Sequence, residues 1–387
     1  MTRVLLYTGK GGVGKTTLSA STGVIAARQG RKTLVISTDA AHSLADVLDC
    51  EIGNELREIE PNLWVEEISV HNELATHWNR IQDYVRRFLT SQGYDDVMAE
   101  ELAIMPGMEE LFCLLKLGDY LDEKKYDLIV IDCAPTGATL KLLSFTDILQ
   151  WYMERFFDLN RKVSRVIKPI AERVMKAPMP GDDVYDQVFA MYERMVKIKK
   201  YLTDPEHSSI RIVCNPEKMV VKESQRAYTY LSLFNFPVDL LIVNRVLPAG
   251  NGAYGAWPEI QSKYLKLIHE SFAPLPILEV PLYDGETLGV EALQQLGSNL
   301  FANRRPDEVF HNLRPMRIQT NNGVSEMRLH MPHAKKGDVD LWVKENELIL
   351  TVMGYQRNLL LPDTLIGKRV KRARMVGEDF VITFGRA

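Results

Sequence analysis

A glycine-rich segment near the start of the chain has the residue types and the spacing that hold a phosphate group. Residues 9–16 read Gly-Lys-Gly-Gly-Val-Gly-Lys-Thr, which fits the pattern G-x-x-x-x-G-K-[ST] between an apolar strand and a helix. The glycines let backbone N–H groups converge on phosphate oxygens, and the helix N-terminus adds its positive dipole end. A chance glycine-rich turn would rarely match both the pattern and its flanking elements. The nucleotide-binding residues predicted here are Gly9, Lys10, Gly11, Gly12, Val13, Gly14, Lys15, Thr16 and Thr17.

Two side chains of this segment and a distant carboxylate predict a magnesium site. Lys15 is placed to reach the β- and γ-phosphates, and the Thr16 hydroxyl is placed to bind Mg²⁺. The apolar run 128–131 ends in Asp132, the arrangement in which a P-loop fold holds Mg²⁺ opposite its threonine. We therefore predict Thr16 and Asp132 as the metal site, with Asp132 acting through a water molecule.

A second carboxylate, Asp39, follows the apolar run 33–36. At the end of a strand beside the phosphate loop, a carboxylate can orient a water molecule for in-line attack on the terminal phosphate. Asp39 could also cap a helix over residues 40–48, because Asp is strongly preferred at that position. Both roles can hold in different nucleotide states.

Short apolar runs separated by helix-length segments predict the elements that position these residues. The runs cover residues 4–7, 33–36, 128–131, 210–213 and 240–243. Fully apolar short strands are typical of a parallel sheet that is covered on both faces. A helix from about Thr16 to Gln29, stopped by Gly30, joins the first two strands. The prediction is an α/β domain with a parallel sheet and helical insertions over residues 1–305.

The helical insertions cover about residues 72–123 and 148–202. Eight of the fifteen methionines lie between Met98 and Met195. Along residues 184–202, apolar residues recur at four-three-four spacing beside a second apolar stripe, which is wider than one packing seam needs. Methionine suits a surface that accepts many apolar sequences, and it also fills ordinary helical cores. The residues predicted to form a hydrophobic groove, with ordinary core as the alternative, are Met153, Phe156, Met191 and Met195.

The segment from Leu313 to Ala387 changes character again. Apolar and polar residues alternate along residues 327–331, 339–343 and 348–352, a period of two that predicts half-buried antiparallel strands. The sequence Arg-Arg-Pro-Asp at 304–307 marks a domain boundary before it. We therefore predict a second, all-β domain over residues 313–387.

Composition limits the function classes and the cellular compartment. The chain has 387 residues, a net charge of -4 and a sequence pI near 6.1, so it has no overall attraction for nucleic acid, and such a partner would need a local basic patch. No uncharged stretch approaches the roughly 20 apolar residues of a spanning helix. Four scattered cysteines without a Cys-x-x-Cys, and no apolar leader before the glycine-rich segment, predict a reducing compartment, the cytoplasm by default.

Three segments together resemble one family. The second lysine of the phosphate loop, Lys10, gives the loop the form of the deviant Walker A motif. Residues 132–137, Asp-Cys-Ala-Pro-Thr-Gly, resemble the switch II signature of the arsenite-pump and tail-anchored-protein-targeting ATPases. Residues 37–43, Ser-Thr-Asp-Ala-Ala-His-Ser, resemble their switch I, although Ala40 stands where that family has proline. The resemblance extends over most of the first 305 residues.

The resemblance implies a homodimeric ATPase that uses ATP and Mg²⁺. Lys10 would contact the nucleotide of the other subunit, so that Asp39, Lys15 and Lys10 carry catalysis. Asn244 would bind adenine, and Pro281, Leu282 and Tyr283 lie in a segment that resembles the loop over the base; from the residues alone, Asn244 as a turn cap is the favoured alternative. The switch residues implied by the resemblance are Asp39, His42, Asp132, Pro135, Thr136 and Gly137.

The family resemblance also implies a partner, and the chain differs from known relatives in two features. The implied partner is a hydrophobic protein segment, such as a tail-anchored client, with a transient contact to a membrane or receptor. The shared zinc site of eukaryotic relatives is not expected, because residues 247–258 contain no cysteine or histidine. Metalloid binding is poorly supported, because the chain has one phosphate loop and scattered thiols. An arsenite-efflux subunit and an ATP-gated holdase with little turnover remain the alternatives.

The C-terminal domain resembles the small heat-shock, or α-crystallin, sandwich that is fused to some members of this family. Within it, residues 368–374 contain five basic residues in seven. A charged edge strand protected from self-pairing is the simpler interpretation, and a patch for phosphate or an anionic membrane is the alternative.

Overall fold

The computed structural model describes residues 2–38, 43–53, 55–68, 79–91, 95, 108–133, 153, 180–248, 254–302, 304–321, 324–344, 346–362 and 364–386. The chain divides into two compact units. The first unit contains Met1–Ile68, Lys124–Leu140 and Tyr201–Ala387, and the second contains Ser69–Glu123 and Lys141–Lys200. None of the described helices has the length and apolarity needed to cross a membrane.

An eight-stranded sheet forms the centre of the first unit. Its strands lie in the order β3-β4-β2-β5-β1-β6-β7-β8, and only β3 is antiparallel to its neighbour. Every residue of β1, β2, β5 and β6 is buried, as expected for parallel strands covered on both faces. The predicted α/β class is confirmed. The strand bounds are β1 Arg3–Thr8, β2 Thr33–Ser37, β3 Arg57–Glu60, β4 Leu63–Glu67, β5 Leu128–Asp132, β6 Ser208–Cys214, β7 Val238–Val246 and β8 Ile277–Pro281.

Five of the described helices accompany the sheet in this unit. Helices α1 and α8 approach closely, since a Cβ added at Gly297 would lie 2.4 Å from the Ile25 Cγ1 atom. The Ser21 hydroxyl of α1 also donates a hydrogen bond of 2.6 Å to the Leu293 carbonyl of α8. The bounds are α1 Lys15–Arg28, α2 Ser43–Leu48, α6 Lys218–Leu233, α7 Trp257–Phe272 and α8 Gly289–Phe301.

The second unit contains α3 (Asn79–Ser91), α4 (Met108–Glu123) and most of α5 (Asp182–Leu202). Helices α4 and α5 pack tightly, because a Cβ at Gly118 would lie 2.9 Å from the Ile198 Cδ1 atom. Ile198 belongs to the four-three-four stripe of α5. Three of the methionines predicted for the groove are buried, with exposed fractions of 8% for Met153, 8% for Met191 and 1% for Met195, so within the described residues they are core, the alternative to a groove, and they line no open groove there.

Seven described antiparallel strands form the C-terminal part, which confirms that it is all-β; it belongs to the first compact unit. One sheet has the order β14-β15-β10-β9, and the other has the order β11-β12-β13. Alternate side chains are buried, for example Leu348, Leu350 and Val352 on β12, because each sheet buries one face. The bounds are β9 Met316–Asn321, β10 Val324–His330, β11 Val339–Lys344, β12 Glu347–Val352, β13 Tyr355–Leu360, β14 Lys368–Val376 and β15 Asp379–Arg386.

Helix α6 joins the α/β part to the C-terminal sheets through its last turn. The Arg357 guanidinium of β13 donates a hydrogen bond to the Leu233 carbonyl. The Tyr230 hydroxyl donates to the Met353 carbonyl at 3.1 Å, and the Thr229 hydroxyl donates to the Pro332 carbonyl. These bonds satisfy buried polar groups, so the C-terminal sheets are fixed on the α/β part.

A fully buried arginine fixes the connection between the two parts. Arg211, in the middle of β6, is 0% exposed. Its guanidinium donates to the Pro306 carbonyl at 2.6 Å and to the Tyr7 hydroxyl at 3.2 Å, and it forms an ion pair of 3.4 Å with Asp239. Arg3 lies 3.7 Å from the same Asp239 carboxylate. The segment that follows α8 is therefore held by a buried charge network.

His333 lies in the turn after β10. Its burial predicts that acid destabilises the contact between the C-terminal sheets and helices α6 and α7. Burial, with a smaller contribution from His330, lowers its pKa to about 4 from the usual 6.5, and its Nε2 atom is buried without a hydrogen-bond partner among the described residues. Its ring contacts Tyr228 and Phe272, at centroid distances of 6.2 and 5.3 Å. Between these two pKa values, the unfolded chain binds a proton that the folded chain does not bind. The free energy of unfolding should therefore fall by up to about 3 kcal/mol as the pH drops through that window.

The check is chemical denaturation of the wild type and of His333→Asn at neutral pH and near pH 4.5, in the window set by the lowered pKa. Asn tolerates the positive φ of 67° at this position. The variant should lose much of the acid sensitivity, whereas His269→Asn, at an exposed histidine, should keep it. Equal acid sensitivity in the wild type and His333→Asn would contradict this prediction.

Candidate functional site

The phosphate loop connects β1 to α1, and two of its glycines are required by close contacts. A Cβ at Gly9 would lie 2.2 Å from the Val213 carbonyl oxygen, at the end of β6. A Cβ at Gly14 would lie 2.4 Å from the Asn244 Nδ2 atom, and Gly14 also has a φ of 95°, a conformation that favours glycine. The loop therefore lies against the C-terminal ends of β6 and β7.

The N-terminus of α1 is built for an anion. Its N-cap residue is Gly14, which offers no side chain to cap the helix, and no acidic residue lies in the first turn. The first backbone N–H groups are thus left for another acceptor. Lys15 is 7% exposed, and its ammonium group donates a 3.4 Å hydrogen bond to the Lys10 carbonyl in the same loop. A phosphate at this end would meet both the helix dipole and a buried cation.

Thr16 and Asp132 meet where the metal site is predicted. The Thr16 hydroxyl donates a hydrogen bond of 2.6 Å to the Asp132 carboxylate. Asp132 is 1% exposed and ends β5, in register with Tyr7 of β1 and Ser37 of β2. A hydroxyl and a carboxylate beside a phosphate site are the oxygen ligands that Mg²⁺ prefers, so these residues fit that ion.

A cavity of about 430 Å³ opens beside the loop. Asn244 lies on its wall, where the side-chain amide donates to the Val13 carbonyl at 2.9 Å and its oxygen accepts from the Arg245 backbone N–H at 2.9 Å. The amide therefore ties β7 to the phosphate loop and also caps the backbone that follows it. The residues that line the cavity are Gly14, Thr17, Leu18, Asn244, Arg245, Val280, Pro281, Leu282, Tyr283, Gly285, Glu286, Thr287, Leu288 and Leu296.

Sequence reasoning missed Gln261 on α7. Its side chain accepts a hydrogen bond of 2.9 Å from the Leu247 N–H and donates one of 3.2 Å to the Arg245 carbonyl. It therefore fixes the segment after Asn244, in which Arg245 has a φ of 58°. No local pattern marks a helical glutamine as the support of a strand end fourteen residues earlier. Thr287, Leu288 and Leu296 on the cavity wall carry no motif either.

Several predicted residues lie outside the part of the chain that the structure describes. Lys10 is described and is partly exposed, and its ammonium group makes no ion pair within the described residues. The predicted residues that fall outside are Asp39, His42, Pro135, Thr136, Gly137 and Phe156.

The four cysteines are free thiols. Burial raises the pKa of Cys214, at the end of β6, to about 12, and burial also raises the pKa of Cys50. Thiols in this state stay protonated near neutral pH, and the thiolate is the form that binds metals.

Comparison with known proteins agrees with this geometry. Residues 2–302 match the family described as "Anion-transporting ATPase", and residues 322–384 match the "HSP20-like domain found in ArsA". The chain is 35% identical to "Putative arsenical pump-driving ATPase 1" of Aquifex aeolicus, over 98% of this chain and 99% of that protein. It is 33% identical to "ATPase GET3B" of Arabidopsis thaliana, over 75% of this chain and 76% of that protein.

A third relative is less similar to the chain. The chain is 29% identical to "ATPase ASNA1 homolog 1" of Paramecium tetraurelia, over 74% of this chain and 88% of that protein. The resemblance drawn from the loop and switch motifs is confirmed. The chain belongs to the anion-transporting ATPase family, and its C-terminal sheets form the HSP20-like domain found in such proteins.

Proposed function

We propose that the protein is a homodimeric, Mg²⁺-dependent ATPase whose nucleotide state controls the binding of hydrophobic protein segments. The observation that carries the ATPase part is the convergence of Thr16 and Asp132, 2.6 Å apart, beside the uncapped N-terminus of α1. This arrangement places oxygen ligands next to a site for phosphate.

Each part of the site has a separate task. Lys15 and the loop N–H groups bind and neutralise the phosphates, and Thr16 and Asp132 would hold Mg²⁺, which supplies further charge neutralisation when bound. The cavity beside Asn244 accommodates the base, with Pro281, Leu282 and Tyr283 on its wall. Asp39 orients the attacking water, a role that rests on the family resemblance.

Lys10 supports the homodimer. It belongs to the phosphate loop, yet its charged group pairs with no acidic side chain of its own chain among the described residues. A cation that is unpaired in this position can reach the phosphates of a nucleotide on a second copy. Nucleotide binding would then favour the closed dimer, because the charge of the phosphates is shared between two subunits.

The client surface must differ from the predicted methionine groove, because those methionines are buried. On α5, Phe189 and Val196 are 41% and 39% exposed, and they lie two turns apart on one side of the helix. We assign them to the surface that contacts an apolar client segment, which could be the membrane anchor of a tail-anchored protein. Burying such a segment removes apolar surface of both chains from water.

Arsenical transport is a second candidate, because the Aquifex relative carries that name. It requires thiolate ligands for the metalloid. Burial raises the pKa values of Cys214 and Cys50, which works against thiolates at these positions. Stimulation of ATP hydrolysis by arsenite or antimonite would favour this candidate over a protein client.

The test is a pair of measurements on Asp39→Asn, which should keep ATP binding and lose turnover by at least about a hundredfold. In this ATP-trapped background, a fluorescent hydrophobic peptide should bind, and Phe189→Ser with Val196→Ser should weaken that binding about tenfold, because apolar contact area is lost. A matched control is Leu267→Ser with Ile260→Ser, at similarly exposed positions of α7 (43% and 39%).

The outcomes separate the parts of the proposal. Turnover of Asp39→Asn near the wild-type value would exclude its role in orienting water. Equal peptide binding by both double variants would exclude the α5 surface. Peptide binding that does not depend on the nucleotide would indicate a holdase without coupling.

A further inference from the structure

Strand β14 carries cations that the ATPase site does not use. It forms one edge of the four-stranded sheet, and five of residues 368–374 are Lys or Arg. Lys368 is engaged, because it donates a hydrogen bond of 2.8 Å to the Ser325 hydroxyl. The other four are exposed and form no ion pair with any described acidic side chain; these residues, called here the basic face, are Arg369, Lys371, Arg372 and Arg374.

Strand register places three of these cations on one side of the sheet. Val370 and Ala373 pair with Phe384 and Ile382, which are both 0% exposed, so they lie on the same side of the sheet as this buried pair, although Ala373 itself is exposed at the sheet edge. The three arginines pair with the alternate residues of β15, so they lie on the opposite side of the sheet, and all three are exposed. These pairs are Arg369 with Gly385, Arg372 with Thr383, and Arg374 with Val381.

A bulge adds the fourth cation to the same side. The register shifts between Val370 and Arg372, which leaves Lys371 as the extra residue of β14. A Cβ at Gly385 would lie 3.0 Å from the Lys371 Cε atom. The Lys371 side chain therefore lies over Gly385, on the side of the sheet that carries the arginines. A side chain at position 385 would occupy that space. In a regular strand, Lys371 and Arg372 would point to opposite sides.

The positive charge is concentrated at this edge. On the neighbouring strands, Arg328 forms an ion pair with Glu326 at 3.0 Å, and Arg317 forms one with Asp379 at 3.1 Å. Residues 316–387 contain twelve Lys and Arg against eight Asp and Glu, a net charge of +4, whereas the whole chain has -4. Screening over about 8 Å at physiological salt keeps the acidic remainder of the chain from cancelling this local field.

We propose that the basic face binds the surface of an anionic phospholipid membrane. The four cations project from one side of a sheet, which suits a planar array of phosphates. The β15 residues that pair with these arginines, Gly385, Thr383 and Val381, include no aromatic ring on which a nucleic-acid base could stack. Arginine binds phosphate in a bidentate manner, and three of the four cations are arginine. Because these positions carry no large apolar side chain, binding is electrostatic, reversible and sensitive to salt.

The test is sedimentation of the full chain with vesicles made of equal parts phosphatidylserine and phosphatidylcholine, compared with phosphatidylcholine alone. The wild type should bind only the anionic vesicles, and added salt should release it. Replacing the four cations of the basic face by Gln should weaken binding by at least about a hundredfold, since each cation near the surface contributes roughly a fivefold factor. The control removes the same charge from exposed lysines elsewhere, namely Lys263, Lys266, Lys336 and Lys344, and should retain binding.

Melting temperature and light scattering distinguish this role from simple edge protection. If the cations only prevent self-pairing of β14, the Gln variant will aggregate and its monomeric fraction will bind vesicles as the wild type does. That result would overturn the proposal. Binding of duplex DNA without binding of anionic vesicles would also overturn it, as would equal loss of vesicle binding in the control variant.

Discussion

Replacement of Lys15 by alanine is expected to lower ATP turnover by about a hundredfold to a thousandfold and to weaken ATP binding. Lys15 is a buried cation of the phosphate loop, and its ammonium group bonds to the loop itself. Alanine would leave the negative phosphates facing the helix N-terminus without that charge. Steady-state hydrolysis and binding of a fluorescent ATP analogue measure the two effects separately.

Lys10→Ala is the matched control, because it removes the same charge from the same loop. If Lys10 acts on the partner's nucleotide, each variant alone is inactive. A mixed dimer, however, contains one site with its own Lys15 and with Lys10 from the other subunit. Mixing equal amounts should therefore restore up to about a quarter of wild-type activity. Absence of any recovery, with mixed dimers demonstrated, would mean that Lys10 acts within its own chain.

Arg211→Met should lower the free energy of unfolding by about 3–5 kcal/mol, the range found when one partner of a buried ion pair is removed. Asp239 is 1% exposed and would keep one cationic neighbour among the described residues, Arg3 at 3.7 Å, beside the hydrogen bond of 3.3 Å that it accepts from the Phe310 N–H. The Pro306 carbonyl would lose its donor at 2.6 Å. Methionine retains much of the volume, so the loss reports charge and hydrogen bonding more than cavity formation.

Chemical denaturation measures this effect, and Arg226→Met provides the control. Arg226 is exposed on α6, so its replacement should change the free energy of unfolding by no more than about 0.5 kcal/mol. A loss of less than about 1 kcal/mol for Arg211→Met would show that Arg3 compensates for the missing charge.

Local sequence patterns predict those strands and loops whose conformation is determined by residues close together in the sequence. The glycine-rich loop, the apolar run before Asp132 and the alternation along β12 each carry their own signal, because strand and loop geometry restrict residue types over a few positions. The bond between Thr16 and Asp132 joins residues 116 positions apart, yet the motif anticipated it. A sequence motif can therefore predict a contact between residues that are distant in the sequence, whereas composition cannot.

Other features depend on contacts that no local pattern encodes. The apolar stripes of α5 allow both a core and a groove, and the burial of Met191 and Met195, at 8% and 1% exposed, places these two side chains in the core. No sequence pattern distinguishes Arg211 from an ordinary arginine in a strand. Its role depends on Asp239 and the Pro306 carbonyl, which are distant in sequence and contact its guanidinium in the fold. The sequence allows Asn244 to be a base ligand or a turn cap. In the structure its amide donates to the Val13 carbonyl of the phosphate loop, and its oxygen accepts from the Arg245 N–H that follows it.

The contact between α6 and the C-terminal sheets has a consequence during synthesis of the chain. Tyr228, Tyr230 and Leu233 are buried in the finished molecule, and bonds from residues 332, 353 and 357 reach this end of the helix. The ribosome makes those residues about a hundred positions later. The nascent α/β part therefore carries an uncovered aromatic surface until the HSP20-like domain emerges, and transiently exposed apolar surface of this kind promotes aggregation during folding.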